Sequence, residues 1–353
     1  MQKRKIISRI LRNKSTPLIV ILIIMCIITM IVSSGVLKGE PLSAMFTRGF
    51  LSGGNLIGIF NKLVIQAFMM CGIVLLLIGG NIDLSVAGQA GLTAMVFAWL
   101  CQKTSLHWII IFLICVVMGA ILGLLNTLLV NRLKFPSFIA TIGMSSVYAG
   151  LCNIMTKGDN IQISTAKHGS FVTMGRANIG GWLPVLFLVA VIVLIAYQFI
   201  LSRTTFGRSL YMCGGNSTAA RLSGLKPDRI LRFLFLNNSI LAAIGGLLWV
   251  SQYQLASPTA ITSSGMDFEV ISASVLGGVA FHGGSGSIGG AFVALMVLNV
   301  FENMLHVMNV QDYYIVFATG AILVIALGID YINAERRRKA LLVASISGAL
   351  ETK

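Results

Sequence analysis

Long, uninterrupted apolar runs constrain this sequence more than any other feature. Two of them, Pro17–Leu37 and Trp182–Leu201, are long enough to cross a bilayer as a helix, which takes about 20 residues. Charged residues make up 10% of the 353-residue chain, whereas a soluble domain carries about 25%. The sequence therefore predicts an all-α, polytopic membrane protein and excludes a soluble globular domain.

Ten apolar segments are predicted as membrane spans. They cover residues 17–37, 57–79, 84–101, 108–130, 137–156, 183–201, 233–252, 268–281, 287–305 and 313–331. This division predicts a transmembrane domain over 17–331, which includes a long basic loop at 203–232. Basic tails are predicted on either side of it, at 1–16 and 332–353.

The distribution of basic residues predicts how the chain is oriented. An even number of spans places both termini on one side of the membrane. By this division, 19 of the 26 Lys and Arg fall on the side of the termini and seven on the other. Because Lys and Arg accumulate in cytoplasmic segments, both termini and the 203–232 loop are predicted to be cytoplasmic. The net charge of +15 thus needs no nucleic acid to explain it.

Glycine interrupts the predicted spans at two places. One is the stretch LIGGNIDLSVAG at residues 77–88, and the other is the pair Gly277 and Gly278. Broken helices at matching places in two halves are typical of inverted-repeat transporters, whose path lies at the repeat interface. We therefore expect spans 2–5 and 7–10 to form two such halves.

The 203–232 loop contains the signals of a very short helix. Asn216 is a favoured N-cap residue, and Gly224 followed by Pro227 is typical of a helix C-terminus. The segment between them allows about two turns, which are unstable alone in water. The pattern favours a helix that docks on another surface, with an ordinary cytoplasmic loop as the alternative.

Four stretches together carry a family resemblance. They are TFGRSLYMCGGNSTAARLSGL (205–225), GGNIDLSVAG (79–88), FPSFIATIG (135–143) and DFEVISASVLGGVAFHGGSGSIGG (267–290). They resemble the ribose/galactose-type permease subunits of ATP-binding cassette (ABC) importers, in the branched-chain-amino-acid/sugar permease superfamily. The resemblance implies a coupling helix region that inserts into the ATPase subunit and contains Gly207, Arg208, Gly214, Asn216, Ala219, Ala220, Ser223 and Gly224.

The same resemblance implies the partners. They are two ABC ATPase subunits, an extracytoplasmic solute-binding protein and a second permease subunit, either identical or paralogous, in a bacterial inner or cell membrane. The cargo implied is a monosaccharide or a similar small polar solute. A GxxxxGK[ST] phosphate-binding motif is absent from the sequence. ATP and Mg²⁺ are therefore expected on a separate polypeptide, and this chain is expected to hold no cofactor, metal or catalytic residue.

Residues of the transport path are predicted from polarity within the spans. The candidates are Gly80, Asn81, Asp83, Asn126, Thr141, Glu269, Gly277 and Gly278. For Asp83 and Glu269, helix capping is favoured over solute contact, and Glu302 is expected to reach the lipid headgroups. Asn126 and Thr141 suit either a sugar or hydrogen bonds between helices.

Two other functions compete with an ABC permease. An ion-coupled secondary transporter would use Asp83 and Glu269 to carry protons, and it would transport without ATPase partners. An intramembrane enzyme would need a convergent set of His, Cys and Asp, and the spacing of these residues shows none.

The predicted topology can be tested with single cysteines and a membrane-impermeant label. Cysteines at positions 158 and 264 should react from outside the cell, and cysteines at 226 and 287 only from inside. The asymmetry of basic residues is the physical reason. Labelling of position 226 from outside would overturn both the span count and the cytoplasmic loop.

Overall fold

A computed structural model describes residues 16–35, 49–311 and 313–322, with single positions up to 335. The predicted basic tails lie almost entirely outside the described residues. Within them the chain is helical apart from turns and four two-residue strands. The predicted all-α membrane fold is confirmed.

The elements are numbered in chain order. The helices are α1 (Thr16–Ser33), α2 (Gly53–Ile78), α3 (Val86–Lys103), α4 (Trp108–Thr127), α5 (Ser137–Thr156), α6 (Thr165–Arg176), α7 (Val185–Arg203), α8 (Thr205–Gly215), α9 (Ser217–Leu222), α10 (Pro227–Tyr253), α11 (Met266–Leu276), α12 (Ile288–Val307) and α13 (Tyr313–Ile322). A 3₁₀ turn at Gly49–Leu51 precedes α2, and a π-helical turn at Leu128–Arg132 extends α4. Strand β1 (Ile161–Gln162) pairs antiparallel with β4 (Leu255–Ala256), and β2 (Asn178–Ile179) with β3 (Leu183–Pro184).

The long helices alternate in direction, so the bundle has two distinct ends. We call one the α9 end, because it carries α8, α9 and the start of α10. There the Asn131 amide, just after α4, donates to the Asp228 carbonyl oxygen over 2.7 Å. The other is the β end, where the β1–β4 pair joins the loop after α5 to the end of α10.

Helix α2 forms the centre of the bundle. The most apolar window of α2 is 89% buried and that of α10 is 67% buried, whereas α4, α5 and α7 bury between 22% and 28% of theirs. A helix that is hydrophobic on every face belongs inside a protein. The outer helices instead expose large aliphatic side chains such as Val117 and Ile192, as lipid-facing helices do.

Each of the ten predicted spans contains a helix, although the helices differ in length. Six are long and apolar enough to cross a membrane among the described residues: α2, α4 with its π turn, α5, α7, α10 and α12. Helices α1 and α13 are apolar but shorter as described, and part of the tenth span lies outside the described residues. Helix α3 is less apolar, and α11 has only 11 residues because Gly277 ends it.

Two helices were not predicted from the sequence. Helix α6 is polar and lies at the β end, where the Trp108 indole donates to the Ser170 hydroxyl over 2.8 Å. Helix α8 precedes the short helix of the basic loop, and Thr204 caps it. Gly214 and Gly215 form the last turn of α8.

The predicted breaks after α2 and α11 are confirmed, and they share one geometry. Gly80 N donates to Leu77 O and Asn81 N donates to Leu76 O. At the end of α11, Gly278 N donates to Val275 O and Val279 N donates to Ser274 O in the same pattern. Gly80 (φ +74°) and Gly278 (φ +89°) supply the left-handed residue that this helix cap requires.

These two breaks do not form an inverted pair. Lys62 near the start of α2 contacts Glu269 near the start of α11, and Gly80 after α2 approaches Gly283 after α11. The two helices therefore run in the same direction, and both break towards the α9 end. The inverted repeat itself stays a prediction of the sequence.

Close backbone contact also holds α10 against its neighbours. A Cβ on Gly246 would overlap the Ala90 carbonyl oxygen of α3 and lie 2.8 Å from its carbonyl carbon. A Cβ on Gly119 of α4 would likewise collide with Ala243. Small residues at such positions let membrane helices approach closely.

We expect Gly246→Ala to destabilise the protein by about 1–3 kcal/mol, because a rigid backbone cannot move away from the added methyl group. The matched control is Gly143→Ala in α5, where a Cβ meets nothing within 4 Å. Thermal unfolding of the purified protein in detergent measures both. Equal unfolding midpoints would show that the α3–α10 contact is not tight.

Candidate transport path and coupling site

Helix α9 has the predicted structure. The Asn216 side-chain oxygen accepts from Ala219 N over 3.0 Å, and Gly224 has a φ of +84°. The Ser223 hydroxyl donates to the Ala219 carbonyl oxygen over 3.0 Å. Pro227 then starts α10. The capping signals in the sequence are thus confirmed.

The two faces of α9 differ sharply. Ala220 is 2% exposed and packs against its own chain, whereas Leu222 is 86% exposed. Ala219 is exposed as well. Of the two alanines in the predicted coupling region, Ala220 therefore seats α9 on the bundle. Leu222 and Ala219 are the apolar side chains left for a partner, since α9 buries neither of them.

Three glycine pairs meet near the start of α9, and they join the end of α8 to the break after α2 and to the turn before α12. They are Gly79–Gly80, Gly214–Gly215 and Gly283–Gly284, and we call this contact the glycine junction. A Cβ on Gly214 would overlap the Ile78 carbonyl oxygen, and a Cβ on Gly283 would lie 2.9 Å from the Gly80 Cα. Gly284 N donates to the Ile78 carbonyl oxygen over 2.8 Å. Three chain segments therefore touch through their backbones.

Helix α8 carries a second attachment to the same loop. The Tyr211 hydroxyl donates to the Gly286 carbonyl oxygen over 2.7 Å. Burial raises the pKa of Tyr211 above its ordinary value, which keeps the phenol protonated as the donor. Gly207 packs against the Leu201 backbone, and Arg208 is exposed on the first turn of α8.

A cavity of 530 Å³ lies at the α9 end, between α9, the start of α10 and the glycine junction. Of the predicted path residues, Gly80 and Asn81 line it, together with His282. Gly277 and Gly278 lie in the second break instead, where a Cβ on Gly277 would meet the backbone of α12. The structure thus separates the predicted path glycines.

Asp83, Asn126 and Thr141 are brought together in a buried polar cluster at the start of α3. Asp83 is 1% exposed and accepts from the Asn126 and Asn238 amides over 3.3 and 3.0 Å. It also accepts from the backbone N–H and hydroxyl of Ser85. The Thr141 hydroxyl accepts from the backbone N–H of residue 84 over 3.0 Å. The N-cap of α3 is Ser85, so the predicted capping by Asp83 is wrong. The Asp83 carboxylate instead binds Ser85 and joins the start of α3 to α4 and α10.

Glu269 lies elsewhere, in an ionic cluster at the β end. Lys62 of α2 pairs with Glu269 over 3.1 Å and with Glu302 over 2.5 Å. The Gln66 amide donates to Glu269 over 2.5 Å and accepts from Asn299 over 2.7 Å. The side chains of Lys62, Glu269 and Glu302 are each at most 25% exposed.

Two predictions about this cluster are wrong. Glu269 does not cap α11, whose N-cap is Gly265, because its carboxylate is drawn to Lys62. Glu302 binds the same ammonium group rather than lipid headgroups. Lys62 is one of the seven Lys and Arg counted on the side opposite the termini, although it falls within the predicted span 57–79, and it lies inside α2. A charged residue within an apolar run was the available signal.

The comparisons with known proteins agree with this architecture. Residues 55–327 match the protein family described as "Branched-chain amino acid transport system / permease component". The chain belongs to this permease family. It is thus a membrane-spanning subunit of an ABC importer and not an enzyme, which removes the intramembrane enzyme and the ion-coupled transporter as alternatives.

Three relatives show how far the likeness extends. The ribose import permease protein of Haemophilus influenzae is 29% identical, over 81% of this chain and 88% of the relative. An L-arabinose ABC transporter permease protein of Azospirillum brasilense is 29% identical, over 82% and 83%. An autoinducer 2 import system permease protein of Yersinia pseudotuberculosis is 30% identical, over 82% and 80%. No solved structure is significantly similar to the chain.

We expect Lys62→Met to destabilise the protein by about 3 kcal/mol or more, because two partly buried carboxylates lose their counter-charge. Lys103→Met, at the exposed end of α3, is the matched control and should change little. The triple variant Lys62→Met/Glu269→Gln/Glu302→Gln should recover most of the loss. Thermal unfolding in detergent measures the stability of each variant. If the triple variant is as unstable as Lys62→Met, the loss does not come from unpaired carboxylates.

Proposed function

We propose that this chain carries a monosaccharide, or a similar small polar solute, into the cell as the permease subunit of an ABC importer. The support is that the relatives are named for import or transport of ribose and L-arabinose, and for import of autoinducer 2. The alignments cover 81–82% of this chain and 80–88% of the relatives, so the likeness extends over most of each permease.

The importer would contain two such permease subunits and two ATPase subunits that bind ATP and Mg²⁺ on the cytoplasmic side. An extracytoplasmic solute-binding protein would deliver the solute at the β end. Supporting this arrangement, eight of the 13 Lys and Arg among the described residues lie at the α9 end, and such an excess marks a cytoplasmic face. Ten crossings are proposed, with α3 and α11 as spans completed by the Gly-rich turns at 79–85 and 277–287.

One observation carries the coupling mechanism: α9 presents Leu222 outward, and its N-terminus follows directly after Gly214 and Gly215 of the glycine junction. A partner that moved α9 would pull on Gly214, which contacts Ile78 at the end of α2 and Gly284 in the turn before α12 through backbone atoms. Backbone contacts transmit displacement because they cannot adjust by rotating a side chain. ATP-driven closure of the ATPase subunits would then reach the path through this junction.

The path itself is proposed to open towards the cytoplasm near Gly80, Asn81 and His282, which line the 530 Å³ cavity. The polar cluster around Asp83 would hold the start of α3 in place beside this opening. Its hydrogen bonds run between α3, α4, α5 and α10, which favours a structural role over contact with the solute.

Leu222→Asp should abolish binding of the ATPase subunit. Burying a leucine contributes about 1.5–3 kcal/mol, and an unpaired carboxylate in the contact adds a further penalty. Together these effects weaken binding by a factor of about 100 or more. Co-purification of the ATPase and ATP-driven uptake into vesicles are the measurements.

Ile179→Asp is the matched control, since it makes the same change at a half-exposed apolar residue of the β end. It should keep the ATPase bound. Lys226→Ala, exposed just beyond α9, should keep both binding and uptake. If Leu222→Asp retains the ATPase and full uptake, α9 does not occupy a cleft of the partner.

A further inference from the structure

A second cavity at the α9 end, of 560 Å³, lies between the end of α4 and the start of α10. Its lining combines two leucines with three basic residues and one acidic residue: Leu124, Leu128, Arg132, Lys134, Arg232 and Asp228. The coupling helix α9 does not line it. The proposed coupling mechanism therefore does not account for this cavity.

The charges around the cavity do not balance. Three cations face one carboxylate, which leaves an excess of +2 (three minus one). Asp228 already pairs with Lys134 over 3.3 Å and with Arg221 over 3.2 Å. The guanidinium groups of Arg132 and Arg232 form no ion pair within the described residues. Both are therefore available to an anion.

The backbone conformation at the end of α4 brings Arg132 and Lys134 to the cavity. In the π turn, the backbone N–H of Leu133 reaches the Leu128 carbonyl oxygen over 3.0 Å. Lys134 then adopts a φ of +59°, which is uncommon for a residue other than glycine. π-Helical turns are frequently found at functional sites. Both features lie in the short segment that brings Arg132 and Lys134 to the cavity.

The leucines place the cavity at the boundary of the membrane. Leu124 is 51% exposed and Leu128 44% exposed, on a helix of which only 28% of the most apolar window is buried. These side chains face the lipid phase, while Arg132, one turn further along, marks the end of the apolar helix. Apolar and cationic groups thus meet at the depth of a lipid headgroup.

We propose that this cavity binds the phosphate of an anionic phospholipid, whose acyl chains lie along Leu124 and Leu128. Basic pockets between membrane helices at this depth suit anionic headgroups, and a guanidinium group can hold a phosphate through two parallel hydrogen bonds. A free phosphate would use the two arginines and gain nothing from the leucines. The apolar lining therefore favours a lipid over a soluble anion.

Lipid binding can be measured by native mass spectrometry of the purified protein, titrated with phosphatidylglycerol or with phosphatidylcholine of the same acyl chains. Arg132→Gln/Arg232→Gln should lower the apparent affinity for phosphatidylglycerol about 30-fold, because two cations near the headgroup are lost. Binding of phosphatidylcholine should not change. Arg203→Gln/Arg229→Gln is the control, since it removes the same charge from exposed positions at the same end.

If both double variants lose the same affinity for phosphatidylglycerol, the lipid is attracted only by the overall charge, and the proposed site is wrong. Displacement of phosphatidylglycerol by millimolar inorganic phosphate would point to a soluble anion instead and would also contradict the proposal. A photoactivatable phosphatidylglycerol, added to the unaltered protein, keeps the test valid if the double variant fails to fold. It should label residues 124–134 and 227–232, and uniform labelling of all outer helices would count against the site.

Discussion

Backbone-to-backbone contact at the glycine junction is the constraint on which the rest of this structure depends. Gly214 reaches the Ile78 carbonyl oxygen only because it lacks a side chain, and Gly284 N closes the contact with a hydrogen bond. This contact holds the end of the buried helix α2, the end of α8 and the turn before α12 together. Any larger residue at position 214 would push the end of α8 away from α2 and from the turn before α12.

Buried polar groups then position the helices that glycine allows to approach. Asp83 collects amide donors from α4 and α10, while Lys62 joins α2 to α11 and α12 at the opposite end. Leaving such groups unpaired in the bundle would cost free energy, so each cluster favours one arrangement of its helices. At the α9 end, the Asp228 carboxylate binds both Arg221 of α9 and Lys134 beside the second cavity, but these exposed ion pairs contribute less to stability than the buried clusters.

Much of the coupling site was predictable because its signals are local. The cap at Asn216, the left-handed Gly224 and the helix start at Pro227 all act within a few residues, and the structure has each of them. Helix breaks at the two Gly-Gly pairs were equally local. The partners of Glu269 were not predictable, since Lys62 lies about 200 positions away in the chain and capping was the nearest local explanation.

The sequence by itself determined that this is a helical membrane protein, where its apolar helices lie, where two of them break, and that a short capped helix lies in its basic loop. Hydrophobic length and capping chemistry suffice for that, because both are read along the chain. Only the tertiary structure decided that Lys62 pairs with Glu269, that Ala220 faces inward and Leu222 outward, and that three glycine pairs meet. Those facts depend on which distant surfaces pack together, and a one-dimensional pattern of residues does not specify that packing.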